Sequence, residues 1–262
     1  MNPSEFSNIA RSERDFWWYR GMRRILFSLL DPLAPAPNSR VLEAGCGTGY
    51  LSQLLAERYR WSITALDLDA QGLHHALNLD PVQADITALP FPPSTFDALI
   101  SLDVVVHLPH GEEHRAFTEF ARVLKPGGLL AVRVSALELL RSRHSEFVHE
   151  RQRFTKPRLV QSIQQSGFEV ERVSYINSIL LPIALFKFRV WEPLTQAPPI
   201  SGVHPLSPWL DSLLYLPLRL EAAALSSGIN FPLGQSLIVL AHKSACGAGC
   251  QPAADCQSAS PV

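Results

Sequence analysis

The sequence predicts an α/β fold, a mostly parallel sheet with helices on both faces, and three observations predict it. The first is the stretch from Val41 to Tyr50. A short apolar strand there ends at Glu43-Ala44, enters the turn Gly45-Cys46-Gly47-Thr48-Gly49 and opens a helix marked by Leu51, Leu54 and Leu55. Glycines in such a turn accept positive φ and let a ligand lie on the backbone, with the free N–H groups of the helix start facing it. The second is another apolar strand, Ile63 to Leu66, ending in Asp67 about 20 residues after the glycines. The third is the alternation of strand and helix patterns from Ser39 to about Val134.

Taken in order, residues 1 to 11 read as disordered or loosely packed, and a helix is predicted from Glu13 to Leu30 by the spacing of Trp18, Met22, Ile25, Leu26, Leu29 and Leu30. Asp31-Pro32 and Ala34-Pro35-Ala36-Pro37 end it and link to the core. The aromatic run Phe16-Trp17-Trp18-Tyr19-Arg20 has two compatible readings, a helix pinned to the sheet or a lid over a ligand. Val82 to Ala84 is a short edge strand, and Phe96 to Leu102 is a central strand apolar enough for burial on both faces. Glu112 to Leu124 is a helix, after which Pro126-Gly127-Gly128 turns the chain into Leu129 to Val134, the fifth strand. Residues 135 to 153 read as a partly helical loop at the mouth of a site. Thr155 is the expected N-cap of a helix ending at Ser166-Gly167, and Phe168 to Tyr175 and Leu237 to Ala241 are strands.

Between those strands, Ile176 to Pro232 is rich in leucine and proline, which predicts two or three short helices forming a cap rather than long unbroken ones. Apolar exposure there would mean a dimer contact, an apolar substrate or membrane proximity. The organisation is thus an N-terminal helix and linker (1–38), a core domain (39–243) with the 176–232 insertion, and a disordered tail (244–262). The tail's Cys246, Cys250 and Cys256 lack zinc-ligand spacing.

Composition sets bounds. A chain of 262 residues with 47% hydrophobic residues can bury one sizeable core, and a formal charge of -1 without a basic stripe gives no argument for nucleic acid. No stretch reads as a signal peptide or transmembrane span, and four cysteines make no disulfide framework, so the expectation is a cytoplasmic protein.

The glycine turn is joined by Gln83-Ala84-Asp85-Ile86, by Thr95 to Asp103, and by Leu124-Lys125-Pro126-Gly127-Gly128. Together these resemble the class I S-adenosylmethionine-dependent methyltransferases, specifically the broad small-molecule group of methyltransferase type 11/12. The resemblance runs over roughly residues 10 to 243. It implies a Rossmann-like sheet of seven strands, with the last strand antiparallel and the helical cap inserted before it. It also implies S-adenosyl-L-methionine as cofactor and methyl transfer to an oxygen or nitrogen of a small molecule. A peptide, protein or lipid-linked acceptor, or cofactor binding without catalysis, are the alternatives. A dehydrogenase using the turn for a pyrophosphate is disfavoured by Glu43, the Cys46 turn and the Lys125-Pro126-Gly127-Gly128 segment.

Position by position, the family pattern assigns the methionine portion to Glu43, Gly45, Cys46, Gly47 and Gly49, and the ribose hydroxyls to Asp67 with Leu68 beside it; Asp69 is the competing acid. Asp85 and Ile86 take the adenine edge, and Ser101, Leu102 and Asp103 lie under the methyl group. Trp18, Tyr19, Arg20, Arg153 and Asn177 are expected at the acceptor. His107 is the candidate general base, the alternative being a residue that only shapes the pocket wall. His110 and His114 read as surface residues, and His149 and Arg151 as part of the loop facing the mouth. Some quinone-pathway relatives hold a metal with a Glu-His pair after this strand. Val106 stands in place of that Glu, so no metal is expected.

Overall fold

Strands apolar on both faces must be covered by helices on both sides, and the computed structural model shows that arrangement over residues 3–76, 79–195, 201, 203 and 206–245. In chain order, α1 (Pro3–Ser12) and α2 (Trp17–Leu30) precede β1 (Arg40–Ala44), α3 (Tyr50–Tyr59), β2 (Ser62–Asp67), α4 (Ala70–Leu73), β3 (Val82–Gln83) and β4 (Phe96–Leu102). Next come α5 (Glu113–Val123), β5 (Leu124–Ser135), α6 (Arg143–Phe147), α7 (Lys156–Gln165) and β6 (Phe168–Ile176). The insertion holds α8 (Leu181–Phe186), a π-helical stretch (Lys187–Trp191) and α9 (Glu192–Thr195) in direct succession, then α10 (Pro208–Ser226), before β7 (Ser236–Lys243).

The sheet order is β3-β2-β1-β4-β5-β7-β6. Only β7 runs against its neighbours, pairing antiparallel with both β5 and β6. Strand order reverses where β1 lies between β2 and β4, in register Leu42↔Thr64 and Leu42↔Leu99. That is the place where open α/β sheets bind ligands, outside the carboxyl ends of the strands.

One face of the sheet is covered by α5 and α7, through Phe117, Phe120, Leu159 and Ile163. On the other, α2, α3 and α10 contribute Ile25, Leu29, Leu55, Leu218 and Leu225. Each such side chain contributes roughly 1.5–3 kcal/mol by leaving water. Helices α2 and α10 lie close because Gly21 has no side chain: a Cβ there would sit 2.1 Å from Leu218 Cδ1. Asp211 of α10 accepts the Trp17 N–H at 2.8 Å and pairs with Arg20 at 2.9 Å, placing a carboxylate at the amino end of α2 where the helix dipole favours it.

Several expectations need correction. Residues 3 to 12 are helical, not loose. Phe6 is buried against the α4 backbone, within 2.8 Å of where a Cβ on Gly72 would stand, and Glu5 is buried accepting from Ser201. The second helix starts at Trp17, not Glu13, because residues 13 to 16 form a turn. Thr155 occupies the N-cap of α7, yet its side chain makes no capping hydrogen bond. Strand β5 begins at Leu124 and contains the Pro126-Gly127-Gly128 segment, with a register shift between Phe96 and Ala98 on its partner. The insertion is helical, but α10 is a 19-residue helix with Pro217 inside it. A proline there costs about 3 kcal/mol, and burial of Leu218, Ala222 and Leu225 opposes that cost. The tail with Cys246, Cys250 and Cys256 lies outside the described residues.

Candidate active site

At the switch point the carboxyl ends of β1, β2 and β4 converge on the glycine turn. The turn is fastened from below: Gly45 and Cys46 both donate to the Leu66 carbonyl, at 2.7 and 2.8 Å. Gly45 takes φ +95°, and a Cβ there would sit 2.0 Å from Val104 Cγ2, so close packing as well as conformation demands glycine. Gly47, at φ +55°, has nothing within 4 Å of a would-be Cβ, so its backbone faces open space. Gly49 caps α3 in a left-handed conformation, 2.6 Å from Ala76 at the same construction.

Acids surround this turn. Asp67 Oδ2 accepts the Gly47 N–H at 2.8 Å and Oδ1 accepts the Asp69 N–H at 3.0 Å. A carboxylate has about four lone-pair positions, so two remain. Asp69, the competing candidate, instead accepts from Gln71 N as the N-cap of α4. Glu43 is buried and accepts from the Ser52 hydroxyl. Burial pushes its pKa up to about 8; the Ser52 bond opposes this, and the neighbouring Asp67 and Glu13 charges add to it. Glu13, from the turn ahead of α2, accepts from Thr48 Oγ1 at 2.6 Å and is itself raised above the usual carboxylate value by burial. The Cys46 thiol is pushed far up by burial and the same carboxylates, which keeps it protonated.

These residues enclose a cavity of about 140 Å³, floored by Glu43, Gly45 and Cys46, walled by Leu102 and Arg133, and roofed by Glu13, Tyr19 and Arg23. Burial raises the Tyr19 phenol, so it stays neutral. Arg133 Nη2 pairs with Asp103 Oδ2 at 2.5 Å, and its guanidinium lies 5.3 Å from the Trp18 ring centroid. Trp18 in turn meets Tyr19 edge to face at 5.1 Å. Asp103 holds φ +59°, a strained backbone at the end of β4.

The structure thus brings Trp18, Tyr19, Glu43, the glycine turn, Asp67, Leu102 and Asp103 together. Other candidates stand apart. Arg20 points to Asp211 and lies 4.2 Å from the Tyr215 ring, joining α2 to α10. Arg153 is fixed inside the 136–153 loop by Ala136 O, Ser145 Oγ and Glu150 Oε2. Asn177, buried at the end of β6 with φ +56°, has a side-chain oxygen with no partner among the described residues. Ser101 is buried and donates to the Ala44 carbonyl at 2.9 Å, bracing β4 on β1. Leu68 and Asp85 are exposed; Asp85 Oδ1 accepts from both Thr87 N and Thr87 Oγ1 at 2.8 Å, while Ile86 is buried.

His107 closes a short 3₁₀ turn, Val105–His107, beyond β4 and does not line the cavity. Its Nδ1 lies 3.2 Å from the His149 carbonyl, which can only accept, so Nδ1 carries the hydrogen and Nε2 has the free lone pair. Burial pulls the His107 pKa down, against the opposing effect of that hydrogen bond. His110 contacts Arg158 and His114 contacts Ser166. Sequence reasoning missed Glu13, Arg23, Ser52 and Arg133. Only Arg133 carried a local signal, as a lone charge in the apolar run Leu129 to Val134.

The residues fit a positively charged adenosine cofactor. Three carboxylates, at Glu13, Glu43 and Asp67, gather around an open backbone turn, and the two glutamates are raised by burial; a cationic ligand would relieve both penalties.

Residues 42–132 match the family described as "Methyltransferase domain". The chain is 35% identical over 104 residues to the 2-methyl-6-phytyl-1,4-hydroquinone methyltransferase of Synechocystis sp., covering 37% of this chain and 32% of the relative. It is 38% identical over 102 residues to the fatty-acid O-methyltransferase of Mycolicibacterium smegmatis, covering 36% of each. The match thus spans about a third of the length of these relatives. In fold, the chain is similar to Haemonchus contortus phosphoethanolamine N-methyltransferase 2 in complex with S-adenosyl-L-methionine, with TM-score 0.55, 18% identity, and coverage of 85% of this chain and 52% of that one. Sheet order and glycine turn agree with the match over residues 42–132, and together they support a class I S-adenosylmethionine-dependent methyltransferase domain with S-adenosylmethionine as its cofactor.

Proposed function

We propose that the protein transfers a methyl group to an oxygen or nitrogen of a small apolar acceptor, working in the cytoplasm. The observation that carries the reading is the cavity over the glycine turn, with the buried Glu43 carboxyl at its base and Tyr19, Leu102 and Arg133 along its other sides. The named relatives that act on a phytyl hydroquinone and on fatty acids support an apolar acceptor.

S-adenosylmethionine, when bound, supplies the methyl on a positively charged sulfur. In this reading Gly47 and Glu43 hold its amino-acid end, Asp67 offers its remaining lone pairs to the ribose hydroxyls, and Asp85 and Ile86 meet the adenine. Small-ligand pockets usually run from about 300 Å³ upward, against the 140 Å³ cavity here. In this reading the N-terminal segment moves outward on binding, and the Glu13–Thr48 hydrogen bond is one contact that holds it over the turn. Bound there, the cofactor would supply its methyl for in-line displacement by the acceptor's oxygen or nitrogen, with S-adenosylhomocysteine as the leaving group. His107 is the candidate to take the acceptor proton at Nε2, its lowered pKa keeping it neutral; it stands outside the 140 Å³ cavity, so this role requires an acceptor that reaches beyond that cavity. The Asp103–Arg133–Trp18 wall orients the acceptor, and alignment of this kind is worth up to roughly 7–11 kcal/mol of the barrier.

Calorimetric titration with S-adenosylhomocysteine, and NAD in parallel, tests the cofactor half. Saturable binding of the first alone is expected, and binding of NAD alone would overturn the reading. For the chemistry, labelled methyl donor is offered with long-chain hydroquinones and fatty acids. His107→Ala should slow turnover and spare cofactor binding; unchanged turnover would remove the base assignment.

A further inference from the structure

Apolar exposure in this molecule is concentrated in one place. Among the described residues, eleven of the fifteen large hydrophobic side chains that are exposed lie between Ile179 and Leu220. On the continuous helical run from α8 to α9, Ile183, Phe186, Val190 and Leu194 recur at helical spacing on the side away from the protein, and Trp191, 58% exposed, joins them. The opposite side of the same run, Leu181 and Ala184, is buried against Leu140. On α10 a second outward row, Trp209, Leu213, Leu216 and Leu220, has the same period, and Trp209 is 68% exposed. The segment leading from β6 into α8 is tied to α10, where Glu221 accepts from the N–H groups of Ser178 and Ile179, at 2.8 and 3.4 Å.

Charge beside these rows has one sign. Lys187, Arg189 and Arg219 are exposed, and none forms an ion pair among the described residues. The acids of the same segment all face inward: Glu192 accepts from Arg143 N, Asp211 pairs with Arg20, and Glu221 is buried. A second copy of this chain, meeting the first through a two-fold contact, would set these cations against themselves. An anionic lipid surface complements them, and exposed tryptophans beside aliphatic rows suit the boundary between headgroups and acyl chains.

We propose that α8 to α9 together with α10 form a docking surface for anionic phospholipid bilayers, with the apolar rows in the acyl boundary and the cations at the headgroups. No helix among the described residues is long and apolar enough to cross a membrane, so the protein lies on the surface. The location ties the surface to the site. Leu137 to Leu140, on which α8 packs, follow directly from Ala136 at the carboxyl end of β5, the strand that supplies Arg133 to the cavity. The bilayer would therefore lie beside the cleft and deliver an acceptor that partitions into lipid, a consequence that rests on the methyl-transfer reading.

The test is flotation of the full chain with vesicles of phosphatidylcholine alone and of phosphatidylcholine mixed with phosphatidylglycerol. The protein is expected to float with the mixed vesicles, with a blue shift of tryptophan emission. Phe186→Glu combined with Leu213→Glu should lower that partition by about tenfold or more, since each removes a large apolar side chain from the buried set. Lys187→Glu combined with Arg189→Glu should weaken binding to the anionic vesicles selectively. No flotation with either vesicle, or partition indifferent to these substitutions, overturns the proposal. So does a dimer in analytical ultracentrifugation that Phe186→Glu with Leu213→Glu dissociates, since a second copy then covers the surface. S-adenosylhomocysteine binding by the same samples keeps the questions apart: flotation without it leaves the docking surface standing and removes the catalytic reading.

Discussion

The cleft and the insertion treat their side chains in opposite ways. At the cleft, Glu43 is buried in a protein where charged groups ordinarily face water, and its pKa rises to about 8 as a result. On α8 to α10, Phe186, Trp191 and Trp209 stand in water although they gain most by leaving it. Each region carries a cost that contact with something outside the chain would relieve: a cation in the first case, an apolar surface in the second. The contact of α2 with the inner side of α10 differs from both: Arg20, Asp211 and the Trp17 N–H satisfy one another there.

Breaking that contact should give the largest effect. Leu218→Ala removes a fully buried side chain from the contact with Gly21 and is expected to lower stability by about 2–5 kcal/mol, read as the midpoint shift in urea denaturation. Next is Asp67→Ala, which takes away the acceptor of the Gly47 N–H. Loss of hydrogen bonds to a charged group is worth roughly 1.5–3 kcal/mol, so the S-adenosylhomocysteine Kd should rise about ten- to a hundredfold, with a much smaller change in melting temperature.

Glu43→Gln sharpens the comparison through pH. Because the folded carboxyl titrates near 8 and the unfolded one near 4.5, the folded state holds the proton more tightly. Its contribution to stability is complete below pH about 4.5 and is lost as pH rises through 8. The glutamine cannot ionise, so melts between those limits should show a flatter profile, with the variant gaining on the wild type toward pH 8. The smallest effect belongs to Arg20→Ala. Its partner Asp211 keeps the Trp17 N–H, and the pair is partly solvated, so a loss of at most about 1 kcal/mol is expected. A loss of methyl transfer with full cofactor binding in Arg20→Ala would instead return this residue to the acceptor site.

Much of this was legible in sequence for a physical reason. The strand–turn–helix from Val41 to Tyr50 encodes its conformation locally, in apolar alternation and in glycines that tolerate positive φ. Asp67 was placed by its distance from that turn. Glu13 and Arg133 were not, because each reaches the cleft by crossing from another element, and no spacing rule connects Glu13 to Thr48 or Arg133 to Asp103. The helix at residues 3 to 12 was missed likewise: its polar composition conceals that Phe6 and Glu5 are buried against parts of the chain far away.

By itself, then, the sequence determined the parallel α/β core, the cofactor turn and the existence of a helical insertion, since these follow from backbone preference and local hydrophobic period. Tertiary structure decided where the insertion went, which residues roof the cleft, and that Arg20 and Arg153 serve as struts. Those outcomes depend on which distant surfaces are complementary in shape and charge, as Gly21 is to Leu218 and Arg20 to Asp211, and such complementarity exists only once the chain has folded.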